Sequence, residues 1–324
     1  MKSFTITKND ADKRLDKFIT KAAPMLPKNL MYKYIRLKRI KVNGKKSDIS
    51  TKLNVGDIVE MYINDEFFEA GQDKYDFLKA PASLDIIYED ENILLLNKKA
   101  GVLSHPDEGE YVDTLITRVQ RYLYEKGEYD PKSEASFAPA LANRIDRNTG
   151  GIVIAAKNAE ALRILNQKIK DREIEKRYLC VITGSPKKDH DTLTSYMIKD
   201  ENKNKVRVYN KPVENGKTMI TEYTVLKKSN GLSLVEVILH TGRTHQIRAH
   251  FAHIGCALLG DGKYGTNETN KKFGGYKKQL LYSYKLTFSF TTDAGLLSYL
   301  GGKTFEAEDV WFRNDFENLI NKQF

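Results

Sequence analysis

The stretch Asn143-Arg144-Ile145-Asp146-Arg147-Asn148-Thr149-Gly150-Gly151-Ile152-Val153-Ile154-Ala155-Ala156-Lys157 opens with polar and charged side chains and closes in a run of small apolar ones. That pattern predicts a loop feeding a buried strand, with the turn supplied by Asn148-Thr149-Gly150-Gly151. Asp146 lies between Arg144 and Arg147. A carboxylate flanked by two guanidinium groups is expected to stay ionised, because nearby positive charge favours the charged form. The segment by itself leaves two readings open: an ion pair that braces a loop, or a carboxylate kept charged for chemistry. Structural ion-pair networks also set acids beside bases, so the residues alone lean to the first.

Composition bounds the classes of function. The 324 residues suffice for one large domain and a small one. Mean hydropathy is −0.53, and no apolar run approaches the length of a membrane-spanning helix. Met1-Lys2-Ser3-Phe4-Thr5 has no apolar signal core. These features predict a cytoplasmic chain without a membrane partner. Cys180 and Cys256 are far apart and in no metal-ligand spacing, which predicts two reduced, buried thiols. Formal net charge is +10, and residues 1–64 hold fifteen Lys or Arg against six Asp or Glu, a net of +9. A basic module on a nearly neutral body suggests an appendage that binds a polyanion.

Within that module, Arg14-Leu15-Asp16-Lys17-Phe18-Ile19 opens a short helix, with Leu15, Phe18 and Ile19 on one face. Pro24 and Pro27 interrupt it, and Pro27 can start the next helix. Leu30, Tyr34, Ile35 and Leu37 supply that second helix with an apolar face, while Lys28, Lys33, Arg36, Lys38 and Arg39 supply charge. Ile40-Lys41-Val42-Asn43-Gly44-Lys45 reads as a strand running into an Asn-Gly hairpin turn, and Val55-Gly56-Asp57 leads into a further strand, Ile58 to Ile63. Residues 65–83, acidic and aromatic-containing, read as a partly packed linker too long for an internal loop. The large domain then spans 84–324.

In the large domain, Asp85 to Tyr88 and Ile93 to Leu96 are strands around a polar turn. Asp113 is expected to cap a helix from Thr114 to Tyr124, with Leu115, Val119 and Tyr122 inward. Asn158 is expected to cap a second, Ala159 to Lys170, with Leu162, Leu165 and Ile169 as its core face. Lys176 to Gly184 alternates like a half-buried strand. Residues 186–217 carry one or two long hairpins, and Met219 to Lys227 and Leu232 to His240 are strands joined at Ser229-Asn230-Gly231. A helix follows from Thr244 to Ile254, closed by Gly255. His245, His250 and His253 are spaced by five and three, which does not fit the i, i+4 pair of helical zinc sites, so no metal is expected.

Several segments together carry a resemblance. The central stretch is similar to the H-R-L-D-R-x-T-S-G-L motif of the RluA-type pseudouridine synthases, with Asn143 where His is usual and Gly150 where Ser is usual. Asn97-Lys98-Lys99-Ala100-Gly101-Val102-Leu103-Ser104-His105-Pro106 resembles their N-K-P-A-G-L-x-x-H-P, with Lys99 for Pro. Lys176-Arg177-Tyr178-Leu179 matches K-x-Y-L, and Leu239 to His250 matches L-x-T-G-R-x-H-Q-I-R-x-H. Leu258-Leu259-Gly260-Asp261-Gly262-Lys263-Tyr264-Gly265 matches I-x-G-D-x-x-Y-G, and Leu280 to Phe288 matches L-H-A-x-x-L-x-F with Tyr282 for His. The first sixty residues resemble the small RNA-binding module named after a ribosomal protein of the small subunit.

The resemblance implies an α+β fold, a mixed, mainly antiparallel sheet with flanking helices, plus a small α/β RNA-binding module. It implies isomerisation of uridine to pseudouridine in structured RNA, with large-subunit ribosomal RNA the expected substrate and transfer RNA the other. No cofactor is needed, since no net redox change or hydrolysis occurs. It assigns catalysis to Asp146, Tyr178 and Arg248: Asp146 attacks the sugar or removes its C2′ proton, Arg248 holds Asp146, and Tyr178 stacks on the uracil and helps the loss of the C5 proton. Arg144, Arg147, Arg243, His245 and Gln246 are assigned to the substrate, and Lys28, Lys33, Arg36, Lys38, Arg39 and Lys41 to RNA phosphates. A monomer is expected. The alternative, motivated by the four departures, is a catalytically impaired RNA-binding or ribosome-assembly factor on the same fold. A base methyltransferase would need a nucleotide-cofactor loop, and the sequence offers none.

Overall fold

The computed structural model describes residues 1–68, 75–200, 204–313 and 316. The N-terminal module contains β1 (Lys2–Thr5), α1 (Leu15–Ala22), α2 (Lys28–Arg36), β2 (Ile40–Val42) and β3 (Ile58–Met61), with an antiparallel sheet in the order β1-β3-β2. Its own apolar cluster includes Leu15, Phe18 and Ile19 from α1, all fully buried as their helical spacing requires. In α2 the buried residues are Met31 and Ile35. Leu37, expected on that face, is 52% exposed, because the helix ends at Arg36 and Leu37 leaves its phase. Pro27 is the N-cap rather than the first helical residue. The Asn43-Gly44 turn closes only a single bridge, Val42 to Lys45, and the ladder partner of β2 is β3.

Two short 3-10 turns, Asp65–Phe68 and Asp76–Lys79, anchor the linker by burying Phe68 and Phe77. Residues 69–74 of the expected linker lie outside the described residues. The module also grips the body directly. Lys13 Nζ donates to Ser136 Oγ (2.6 Å), Asn9 to Glu134 (2.8 Å) and Arg163 to Asp12 (3.0 Å). Asp10, fully buried, accepts from Ser136.

In the body the elements are β4 (Ile86–Glu89), β5 (Ile93–Lys98), α3 (Leu115–Glu125), β6 (Ala140–Leu141), β7 (Gly150–Ala156), α4 (Ala159–Lys170) and β8 (Ile174–Thr183). There follow β9 (His190–Asp200), β10 (Lys205–Tyr209), β11 (Lys217–Ser229), β12 (Leu232–Leu239), α5 (Gln246–His253), α6 (Asn267–Lys272), β13 (Leu281–Phe288) and β14 (Thr304–Glu306). The strands form one eleven-stranded sheet in the order β10-β9-β11-β12-β8-β13-β7-β5-β4, with β14 beside β13 and β6 beside β7. Among the strands of the described residues only β13 and β7 pair in parallel; the isolated bridge Leu103 to Thr114 is parallel too. The fold is therefore the mixed, mainly antiparallel α+β type.

Why β7 lies inside the sheet follows from its sequence. Ile152 and Ile154 enter one apolar cluster, Val153 and Ala155 the other, as side chains alternating across a pleat must. All seven of its residues are buried, the mark of a strand covered on both faces. α4 and the 3-10 turn Gly295–Leu300 close the first face through Leu165, Leu297 and Leu300. α3 and α5 close the second through Val119, Leu123, Ile247 and Phe251. Each such side chain contributes about 1.5–3 kcal/mol by leaving water. Asn158 caps α4 by accepting from Ala161 N–H at 2.8 Å. The expected Asp113 cap of α3 gives way to a capping box between Thr114 and Thr117, because Asp113 is taken by Arg118 at 2.6 and 2.9 Å. Asn230 and Gly231, at φ +48° and +76°, make the β11–β12 hairpin turn.

Candidate active site

Three neighbouring strands assemble the site. β13 sits between β8 and β7, with Ser283 opposite Tyr178 on one side and opposite Gly151 on the other. The loop before β7 therefore lies over Tyr178. Gly151 has φ +112°, and a Cβ there would stand 2.1 Å from the Ser283 carbonyl oxygen. Only glycine allows this close approach.

The Asp146 loop is tied down through its carbonyls. Ser104 Oγ donates to Ile145 O (3.0 Å), and Gly101 N–H to Arg147 O (2.8 Å). Lys98, 1% exposed, donates Nζ–H to Val102 O (2.7 Å), Arg147 O (3.0 Å) and Lys99 O (3.2 Å). Burial lowers its ammonium pKa to about 7, with the Asp146 charge opposing the fall and Lys278 adding to it. Asn143 accepts from Ile154 N–H at 2.8 Å.

Asp146 Oδ2 accepts from Arg248 Nη1 at 2.8 Å, across 102 residues of sequence. Arg248 is nearly buried, and Asp261 grips its other edge at 2.7 and 3.0 Å. Burial disfavours the guanidinium charge, but the Asp261 hydrogen bonds and the charges of Asp261 and Asp146 outweigh it and hold its pKa above the ordinary value. Burial likewise pushes Asp261 up, yet Arg248 and the backbone N–H groups of Lys263 and Tyr264 bring it net below the usual range. A bidentate, doubly paired guanidinium fixes the plane in which Asp146 is presented. The sequence-adjacent arginines do not do this. Arg144 is exposed, and Arg147 donates instead to Gly101 O at 3.1 Å. Successive residues of an extended loop point apart, so adjacency in sequence did not become a contact.

A cavity of about 500 Å³ opens here, lined by Asp146, Tyr178, Arg248, Arg144, Arg243, His245 and Gln246, among others. Arg147 does not line it. Tyr178 is buried; burial and then the Asp146 charge, against an opposing Ser283 contribution, push its hydroxyl up to about 12. It therefore presents a neutral phenol at physiological pH, not a phenolate. His245 sits at φ +53°, which delays α5 to Gln246 rather than the expected Thr244. Tyr264 Oη accepts from Val206 N–H (2.8 Å) and lies 3.0 Å from His245 Nδ1. Burial is the main cause of the lowered His245 pKa. Gln246, at the cavity wall, donates to Ile220 O and Thr221 Oγ1 and accepts from Thr241 Oγ1 and Arg243 N–H. Its bonds are spent on positioning the β12–α5 corner. The three histidines turn to separate partners, His250 to Thr221 and His253 to Asn210.

Sequence reasoning missed Asp261 and Tyr264. Both stand in Gly260-Asp261-Gly262-Lys263-Tyr264-Gly265, a motif match that carries no role for either residue. Asp261 fixes Arg248, and the Tyr264 ring stacks under the Arg248 guanidinium at 5.3 Å. In the N-terminal module Lys28, Lys33, Arg36, Lys38 and Arg39 are exposed and Lys41 is half-buried. Arg39 lies over Tyr34 and Lys41 over Tyr62.

The structure thus sets a carboxylate–arginine–carboxylate triad in a cleft of a mainly antiparallel sheet. Residues 92–253 match the RNA pseudouridylate synthase family profile and residues 13–59 the S4 domain. An uncharacterized RNA pseudouridine synthase of Mycoplasma genitalium is 32% identical over 88% of this chain and 88% of its own. The ribosomal large subunit pseudouridine synthase C of Rickettsia bellii is 35% identical over 79% of this chain and 83% of its own. Among solved structures, human RNA pseudouridylate synthase domain containing 4 shares the fold with a TM-score of 0.57 at 18% identity, over 74% of this chain and 94% of that one. The chain belongs to the RNA pseudouridylate synthase family and is an RNA pseudouridine synthase.

Proposed function

We propose that the chain isomerises uridines of large-subunit ribosomal RNA, as a cytoplasmic monomer, with Asp146 as the catalytic carboxylate. The observation that carries this is the 2.8 Å pair of Asp146 with Arg248, itself held by Asp261, at the wall of a nucleotide-sized cleft. The carboxylate works at the ribose, Arg248 fixes its orientation and charge, and the Tyr178 ring stacks on the uracil. The C1′–N1 bond breaks with its electron pair left on the ring; the ring turns, C5 bonds to C1′, and the proton lost from C5 is balanced by one gained at N1. The balance is internal, so no cofactor is required. The target base must leave its stack, at a cost of about a few kcal/mol. Residues 1–64 act as the RNA-binding module, 65–83 as the linker and 84–324 as the catalytic domain. The exposed cations of α2 and its C-terminal turn contact phosphates and offset the unstacking cost. The similarity to the large-subunit enzyme of Rickettsia bellii supports this substrate choice.

The test is pseudouridine mapping of ribosomal and transfer RNA from a strain lacking the protein. A large-subunit site that disappears, and returns with wild type but not with Asp146→Asn, is the expected result. Return of the site with Asp146→Asn would overturn the catalytic assignment, and loss only of a transfer-RNA site would overturn the substrate.

A further inference from the structure

Lys176 lines the cavity that holds Asp146 and Tyr178, and the mechanism above leaves it unused. It stands two residues before Tyr178 on β8, opposite Leu286 of β13. Apart from the exposed Arg144, the other cations around the cleft are committed. Arg248 is shared by two carboxylates, Lys98 by three carbonyls, and Arg243 Nε donates to Thr218 O. The acids nearest Lys176 in sequence and across the sheet, Glu175 and Glu236, both pair with Arg177. Among the described residues Lys176 has no ion pair and no hydrogen bond from its ammonium. Burial alone acts on it, and lowers its pKa. A half-buried ammonium at a cavity wall with no counter-ion is costly, and a protein tolerates it where a ligand brings the opposite charge.

We infer that Lys176 is a substrate-binding residue that receives an oxyanion of the bound nucleotide, an inference that rests on the cleft around Asp146 being the active site. Two groups of the nucleotide offer that chemistry. One is a backbone phosphate beside the target uridine. The other is the uracil ring itself: when the C1′–N1 pair stays on the ring, negative charge spreads to its carbonyl oxygens, and it disperses again when C5 bonds to C1′. In neither case does Lys176 give up its proton.

The experiment uses the full chain and an in vitro large-subunit ribosomal RNA transcript tritiated at C5 of uridine, which releases its label on isomerisation. Lys176→Met and Lys176→Arg are compared in single-turnover rate, and in RNA affinity on an Asp146→Asn background, where no turnover intervenes. The expected loss with Met is about 10- to 100-fold, what a hydrogen bond to a charged group is worth, with Arg restoring most of it. A loss in affinity assigns the phosphate; a loss in rate at saturating enzyme, with affinity intact, assigns the departing uracil. Because Met removes an uncompensated charge, its melting temperature should not fall. Unchanged rate and affinity, or a loss that follows a lowered melting temperature and is not restored by Arg, overturns the inference. A fully active Asp146→Asn control would instead overturn the reading of the cleft.

Discussion

Two departures from the family motifs, Gly150 for Ser and Tyr282 for His, meet in space, and their coupling is measurable. Tyr282 is opposite Gly150 in the β13–β7 pairing. A Cβ on Gly150 would stand 2.5 Å from Tyr282 Cε2 and 2.8 Å from Cδ2. The ring cannot swing clear: it is 5% exposed, its hydroxyl bonds Asn97 Oδ1 at 2.5 Å, and Phe312 packs edge-on at 6.5 Å. Gly150→Ser alone should therefore cost about 1–3 kcal/mol, as overpacking does. Tyr282→His alone should cost about 1–2 kcal/mol, through lost volume and the lost Asn97 bond. The double variant should cost less than the sum by about 1–2 kcal/mol, because the smaller ring makes room for the serine. Equilibrium urea unfolding, followed by circular dichroism and by the single tryptophan, Trp311, gives all four corners of the cycle. Tritium release should track stability, since neither side chain lines the cavity. Additivity within about 0.5 kcal/mol would refute the claim that the two positions are one packing unit.

Asp261→Ala leaves Arg248 buried with half its partners, and should lower stability by about 3–5 kcal/mol; Asp261→Asn should fold better yet still lose single-turnover rate, because Asp146 is no longer held in plane. A stable, fully active Asp261→Ala would sink the triad. His250 is fully buried, and burial followed by the His253 charge lowers its pKa to about 4. The unfolded chain binds that proton near pH 6.5, so between pH 6.5 and 4 the unfolded state holds more protons, and stability falls on acidification by about 3 kcal/mol. Urea midpoints across that range should flatten in His250→Asn. Lys28, Lys33 and Arg36, all exposed, should lower RNA affinity when changed together to Ala and reduce the slope of log affinity against log salt by about one per lost contact; an unchanged slope would remove α2 from the RNA interface.

Much of the fold was legible because local chemistry and long-range packing agree. β7 shows its alternation, α4 its Asn158 cap, and the β11–β12 corner its Asn-Gly turn. The ends of elements were less legible: Asp113 has the chemistry of a cap, but Arg118 competes for it, and Leu37 has the right residue type one step past the helix. At the site, Asp146 and Arg248 were found through motifs, not through charge pattern. The pattern pointed to Arg144 and Arg147, which are neighbours along the chain but not partners in space. Nothing in the sequence marks Lys98 as buried, since burial of a charge is a property of the folded sheet.

The four departures bear on whether this is an active enzyme or a binding factor that kept the fold. Asn143 still supplies an acceptor, its carbonyl taking the Ile154 N–H, a role that an imidazole nitrogen can also fill. Gly150 and Tyr282 fill one another's space. Lys99 gives up the fixed φ of proline, yet its loop is held by the three Lys98 bonds and by Gly101 on Arg147. None of the four touches the Asp146–Arg248–Asp261 network. A chain drifting from catalysis toward binding alone has no reason to keep a guanidinium buried between two carboxylates, because replacing such a triad by apolar side chains is often neutral or stabilising. That the costly charges stand while none of the departures breaks a bond of their network argues for chemistry at Asp146.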